Sequence, residues 1–139
     1  MASSVFLDSN GWIALLNSSD SLHELATDVW RKLGSEGSHV VITDWVIAET
    51  GNGMARSQHR NRFAEAVRRV EASPSVNLVY IDNRRLQEAV LLYENRVDKS
   101  WGLVDCASFV VMAEEQISEA FTNDSHFEQA GFRCLLREN

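Results

Sequence analysis

The stretch Leu103-Val-Asp-Cys-Ala-Ser-Phe-Val-Val-Met-Ala113, LVDCASFVVMA, is apolar or small at every position but Asp105. Its apolar residues run nearly all the way round a helix, which predicts a helix over 103–116 buried against a sheet rather than one with a wet face. An ionised carboxylate in the first turn of such a helix is costly unless something pairs with it. Two questions follow: what sheet covers this helix, and what meets Asp105.

Outward from that segment, short apolar runs alternate with amphipathic ones. Val5-Phe-Leu7 reads as a buried strand stopped by Asp8-Ser-Asn-Gly11, followed by a turn or two of helix over 11–17. Residues 20–33 carry Leu22, Leu25, Ala26, Val29, Trp30 and Leu33 on one helical stripe. A loop at 34–37 leads to a second strand at 39–42, and Thr43 or Asp44 can cap a helix over 45–50 that Gly51-Asn-Gly53 is expected to break. A helix over 61–72 turns Phe63, Ala66, Val67 and Val70 inward and stops at Pro74, the only proline. A strand at 76–81 precedes a helix over 83–95 with Leu86, Ala89, Val90 and Tyr93 expected inward. Beyond the quoted helix, a strand at 119–122, a helical turn at 125–129 and a strand at 132–136 complete the chain. Strands apolar throughout, alternating with helices, indicate an α/β sandwich with a mostly parallel sheet. In such sheets ligands bind beyond the carboxyl ends of the strands, where strand order reverses.

Composition narrows the class. At 139 residues with 45% hydrophobic and 24% charged residues, the chain reads as one domain over residues 1–139. A formal net charge of -7 argues against coating nucleic acid by bulk charge. Cys106 and Cys134 have no CxxC partner and read as buried thiols of a reducing compartment. The start MASSVFLDSN has no basic region or long apolar run, so neither a signal peptide nor a membrane span is expected, and the expected location is cytoplasmic.

Four carboxylates fall where a parallel sheet would gather them. Asp8 follows the first strand, Glu49 lies one turn past Trp45 on the helix after the second, Asp105 opens the quoted helix, and Asp124 follows the fourth strand in Phe121-Thr-Asn-Asp124. Acids brought that close raise one another's pKa unless a counter-charge intervenes. A hard dication such as Mg2+ or Mn2+, which prefers carboxylate oxygen and water, resolves the conflict and supplies the partner for Asp105. Each acid also has a plainer reading. Asp8 and Asp124 can cap the helices that follow them, Glu49 can be a solvated helix charge, and Asp105 can be satisfied by backbone amides at a helix start.

The segments VFLDSN, WVIAETGN, DKSWGLVDCASFVVM and FTNDSHFEQAGF together resemble the PIN-domain ribonucleases, and among them the VapC-type toxins of prokaryotic toxin–antitoxin pairs. The likeness covers nearly the whole chain, and its third and fourth segments are the specific ones. It implies a PIN-like three-layer sandwich whose central parallel sheet of about five strands has the order 3-2-1-4-5. It also implies a metal-dependent endoribonuclease using Mg2+ or Mn2+, with Asp8, Glu49, Asp105 and Asp124 as its catalytic and metal-binding acids. Thr122 and Asn123 match residues that orient the last acid, and Ser9 or Asn10 a polar position after the first. His126 stands where many relatives have another acid, and Gly102 and Val104 where they often have hydroxyl side chains. His126 itself, two residues from Asp124, can support the neighbouring acids from behind, but it reads first as a surface histidine. The implied reaction is hydrolysis of an RNA phosphodiester that leaves a 5′ phosphate, with no covalent intermediate. A neighbouring antitoxin and a homodimer are the implied partners.

RNA approaching an acidic pocket needs cations at its rim. Residues 51–69 contain Arg56, Arg60, Arg62, Arg68 and Arg69 against the single acid Glu65, which suits phosphate contact or, equally, a solvated face docking an acidic partner. Arg84, Arg85 and Arg96 read as ordinary surface charges, and the tryptophans Trp12, Trp30 and Trp45 as core or dimer contacts. Three rival readings remain open. They are an inactive PIN-fold protein that binds RNA or antitoxin, a housekeeping RNA-processing nuclease, and a phosphoryl-transfer protein. The last is disfavoured because Asn10 stands where a phosphatase needs a second Asp and no lysine follows a late strand.

Overall fold

The computed structural model describes residues 3–137. Its elements run β1 (Ser4–Leu7), α1 (Ser9–Leu16), α2 (His23–Ser35), β2 (His39–Thr43), α3 (Asp44–Gly53), α4 (Ser57–Ala72), β3 (Val76–Val79), α5 (Asn83–Asn95), α6 (Leu103–Glu114), β4 (Glu119–Phe121), α7 (Ser125–Gln129) and β5 (Arg133–Cys134). The strands form one sheet in the order β3-β2-β1-β4-β5, and every neighbouring pair is parallel. The expected α/β architecture and strand order are both present, with the order reversing at β1.

Apolar strands dictate this arrangement. Val5, Phe6 and Leu7 of β1 and Val40, Val41 and Ile42 of β2 are all buried, so both faces of the sheet need helical cover. The quoted helix α6 provides part of it: Cys106, Ala107, Ser108, Phe109, Val111 and Met112 are buried, as its all-round apolarity required. Phe109 meets Phe127 of α7 edge-on with centroids 5.0 Å apart, and Phe127 reaches Phe6 of β1 at 6.2 Å. This aromatic column fixes the short helix α7 to the sheet beside β4. Both cysteines are free; Cys106 is buried, but Cys134 is only half-buried. Among the described residues no helix is long and apolar enough to cross a membrane.

Several local expectations give way. Helix α3 continues through Gly51-Asn-Gly53 instead of breaking there. A Cβ on Gly51 would lie 2.9 Å from the ring of Phe63, and one on Gly53 would lie 2.8 Å from Ile13, so these glycines admit neighbouring side chains. That close packing offsets the cost of about 1 kcal/mol that glycine carries inside a helix. Helix α5 is rotated from its expected face: Ala89 is buried and Leu92 packs on the core, while Val90 is 38% and Tyr93 54% exposed. Arg84 and Arg85 both reach Glu114 of α6, at 3.0 and 3.1 Å. Strand β3 ends at Val79 because Ile81 gives its N–H to the Asp44 carboxylate at 2.8 Å, while Thr43 is the residue that caps α3. Strand β5 is shorter than 132–136, although Leu136 still donates its N–H to Thr122 O at 3.1 Å.

Candidate active site

The parallel register of β1 and β4 builds the centre of the site. Leu7 pairs with Phe121, so the residues that follow, Asp8 and Thr122, leave the sheet side by side. Asp8 does not cap α1 with its side chain. The Thr122 hydroxyl instead donates to Asp8 Oδ2 at 2.8 Å, and Thr122 Oγ1 in turn accepts the Asp124 N–H at 3.0 Å. Asn10 closes the loop from the other side, its amide oxygen accepting the Asn123 N–H at 2.7 Å. One hydroxyl and one amide therefore tie the exits of two strands together.

The other acids arrive on helices. Glu49 sits on α3, and its Oε1 accepts the hydroxyl proton of Ser9. Asp105 is the third residue of α6, where its Oδ2 accepts the Gly102 N–H at 3.1 Å and gains from the helix's positive end. Asp124 caps α7 through the His126 N–H at 2.9 Å. The plain capping readings of Asp105 and Asp124 are thus realised, but each occupies only one carboxylate oxygen. The second oxygens of Glu49, Asp105 and Asp124 accept no hydrogen bond from the described residues. No fully buried side-chain oxygen there lacks a partner, so these open oxygens face accessible space.

Electrostatics links the acids further. Asp8 is only 2% exposed. Burial pushes its carboxyl from an ordinary 3.8 up to about 7, the Thr122 hydroxyl pulls back, and the charges of Glu49 and Asp105 push it up again. Those two acids are close enough for Asp8 to feel them, and among the described residues no cationic side chain is a main influence on it. A buried acid facing two others that each keep one carboxylate oxygen open is a donor set that fits a hard dication.

His126 is the residue that sequence reasoning missed. It is no free surface histidine: its Nδ1 lies 2.9 Å from Asp105 Oδ2 and 3.6 Å from Asp124 Oδ1. Asp105, Asp124 and His126 together offer ligand atoms within 4.8 Å of one another. The available signals were its place two residues after Asp124 and its standing where many PIN-domain relatives have another acid. Arg56, Arg60 and Arg62 are exposed on α3's exit and α4, with Arg60 donating to Ala55 O and Arg62 to Leu16 O. Arg84, Arg85 and Arg96 are occupied in ion pairs, and Arg96 also lies over the Trp101 ring. The apolar groove of about 330 Å³ lined by Trp12, Leu15, Leu16, Trp30 and Val70 includes no carboxylate and is separate from this site.

Comparison with known proteins gives a consistent picture. The chain matches the PIN domain over residues 5–133. It is 32% identical over 130 residues to the 23S rRNA-specific endonuclease VapC20 from two strains of Mycobacterium tuberculosis, covering 92% of this chain and 95% of that protein. The crystal structure of Mycobacterium tuberculosis VapC20, a sarcin–ricin-loop-cleaving toxin, superposes with a TM-score of 0.83 at 26% identity, covering 92% of this chain and 95% of the other.

Proposed function

This chain belongs to the PIN-domain family, and from that premise we propose that it is a metal-dependent endoribonuclease, the toxin of a toxin–antitoxin pair, built as one domain over residues 1–139. The supporting observation is the rim at the carboxyl ends of β1, β2 and β4. There Asp8 feels the charges of Glu49 and Asp105, and Thr122 joins Asp8 to Asp124. These four acids are the catalytic and metal-binding set, holding Mg2+ or Mn2+ through their carboxylate oxygens. A dication bound there lowers the pKa of a water and offsets charge gathering on the phosphate. The chain's own part is preorganisation. Thr122 and Ser9 each lock one oxygen of a carboxylate, Asn10 and Asn123 hold the two strand exits in register, and the positive end of α6 sits under Asp105.

The deciding experiment is cleavage of total RNA and of intact ribosomes with Mg2+, with Mn2+ and with EDTA, mapping the ends. Cleavage in large-subunit rRNA, the substrate named for the relatives, with 5′ phosphates and complete loss in EDTA is the expected result. Cutting that persists in EDTA would remove the metal from the reading. In the same assay Arg56, Arg60 and Arg62 are proposed to hold RNA phosphates. Replacing all three with Gln should weaken binding and flatten its log–log salt dependence by about two to three units, with folding unchanged. An unaltered salt slope would return them to the solvated face.

The antitoxin is proposed to be a small protein encoded beside this one that inserts a segment near the acidic groove. A homodimer belongs to the same reading, supported by apolar surface on α5 and just beyond it, where Leu91 is 57% and Val97 90% exposed. Light scattering should give a dimer that Leu91→Glu dissociates, and a monomeric wild type would discard it.

A further inference from the structure

His126 sits among the acids without belonging to the set assigned above, and its ring is held rather than loose. Its backbone N–H is capped by Asp124, and the adjacent Phe127 is fully buried under Phe6 and Phe109. The side chain is 26% exposed, against 14% for Asp105 and 32% for Asp124, so the three form one part-buried wall of the cleft. Two roles compete for the ring. It can donate Nδ1–H to Asp105 and merely steady that carboxylate, or it can present the Nδ1 lone pair to a cation shared with both acids.

The surroundings favour the second. Asp105 Oδ2 already accepts the Gly102 N–H, which fixes its orientation without help from the histidine. On the far side of the ring the Ser100 hydroxyl oxygen lies 3.4 Å from Nε2. Either atom of that contact can be the donor; with the proton on Nε2 and given to Ser100 Oγ, Nδ1 is left bare for metal. Ligands at neighbouring positions around a six-coordinate hard dication sit about 3 Å apart. Nδ1 lies 2.9 Å from one carboxylate oxygen and 3.6 Å from the other. Small closure is enough to place all three around one ion.

We propose that His126 is a metal ligand through Nδ1 beside Asp105 and Asp124, and that this nitrogen biases the site toward Mn2+ over Mg2+. The chemical reason is the donor type. Mg2+ is held by oxygen and gives up water reluctantly, whereas imidazole binds divalent transition metals well. The inference rests on the reading of this rim as a dication site and assigns one residue and one preference within it.

The test uses the full chain, stripped with EDTA and reloaded with Mn2+ or Mg2+ alone. Electron spin echo envelope modulation of the Mn2+-loaded protein should show directly bound imidazole nitrogen, lost in His126→Gln. Calorimetric titration of both ions should favour Mn2+ in the wild type. His126→Asp, which restores an all-oxygen set, should reduce that preference about tenfold. Circular dichroism confirms that both variants remain folded. Nitrogen coupling absent from the wild type, or equal loss of Mn2+ and Mg2+ affinity in both variants, overturns the proposal while leaving the dication reading in place. Failure of the wild type to bind either ion overturns both.

Discussion

Asp8→Asn should abolish RNA cleavage and, in metal-free buffer, should make the protein more stable. The two effects share one cause. Asp8 is 2% exposed, and its carboxyl is pushed up to about 7 first by burial and then by the charges of Glu49 and Asp105. Above that pH the folded protein carries a buried charge with no cation of its own to meet it. Asparagine keeps the shape and still accepts the Thr122 hydroxyl proton, but removes the charge.

The pH dependence has a definite direction. The folded-state value of about 7 lies above the ordinary 3.8, so between these limits the native state holds a proton that the unfolded state has lost. Wild-type stability therefore falls as pH rises from about 4 to about 7 and levels off beyond. The whole interval is worth on the order of 4 kcal/mol at most. The advantage of Asp8→Asn in EDTA should be largest near pH 8 and vanish toward pH 4, read as the difference in Tm. Added Mg2+ or Mn2+ should stabilise the wild type by mass action and leave the variant nearly unmoved. Cleavage should drop at least about a thousandfold, since metal stabilisation of the transition state is worth several kcal/mol. A variant less stable than the wild type at pH 8 in EDTA, or one that still cuts, would contradict this account of Asp8.

The second large effect is steric. Gly11→Ala should lower Tm by about 10 °C, equivalent to about 3 kcal/mol. A Cβ there would lie 2.1 Å from the carbonyl oxygen of Phe121 and 2.6 Å from its ring. The carbonyl belongs to β4 and accepts the Asp8 N–H, so relief requires the strand or α1 to move. That movement would separate Asn10 from Asn123 and Asp8 from Thr122, and cleavage by the folded fraction should fall as well. Gly34→Ala is the matched control, because nothing lies within 4 Å of a Cβ at that position. Equal melting temperatures for Gly11→Ala and the wild type would show that the two elements are not packed as described.

The alternation of apolar strands and helices was legible in the residues, and so was the placement of Asp8, Asp105 and Asp124 just after strands or at a helix start and of Glu49 one turn into a helix. A strand apolar on both faces can only be an interior strand, and a polar residue directly after it can only lie at the sheet's edge. The strand order 3-2-1-4-5 was not legible in that way; it entered through resemblance and the structure bears it out. The rotation of α5 was missed because Leu86, Ala89, Val90 and Tyr93 satisfy the helical period as well as the true face does. The choice between faces lies in packing against the core, where Ala89 is buried and Leu92 seats, and no local period encodes it.

His126 shows the same division most sharply. Local spacing relates it to Asp124 but says nothing of Asp105, which reaches it only because α6 and α7 pack through Phe109 and Phe127. What the sequence determined by itself is the set of chemically able residues and the sheet edge they occupy, because burial patterns and strand ends are encoded over a few neighbouring positions. Which oxygen is pinned, which is left open and which nitrogen faces them was decided only by tertiary packing. Those choices depend on contacts between elements distant in the chain, for which no local period exists.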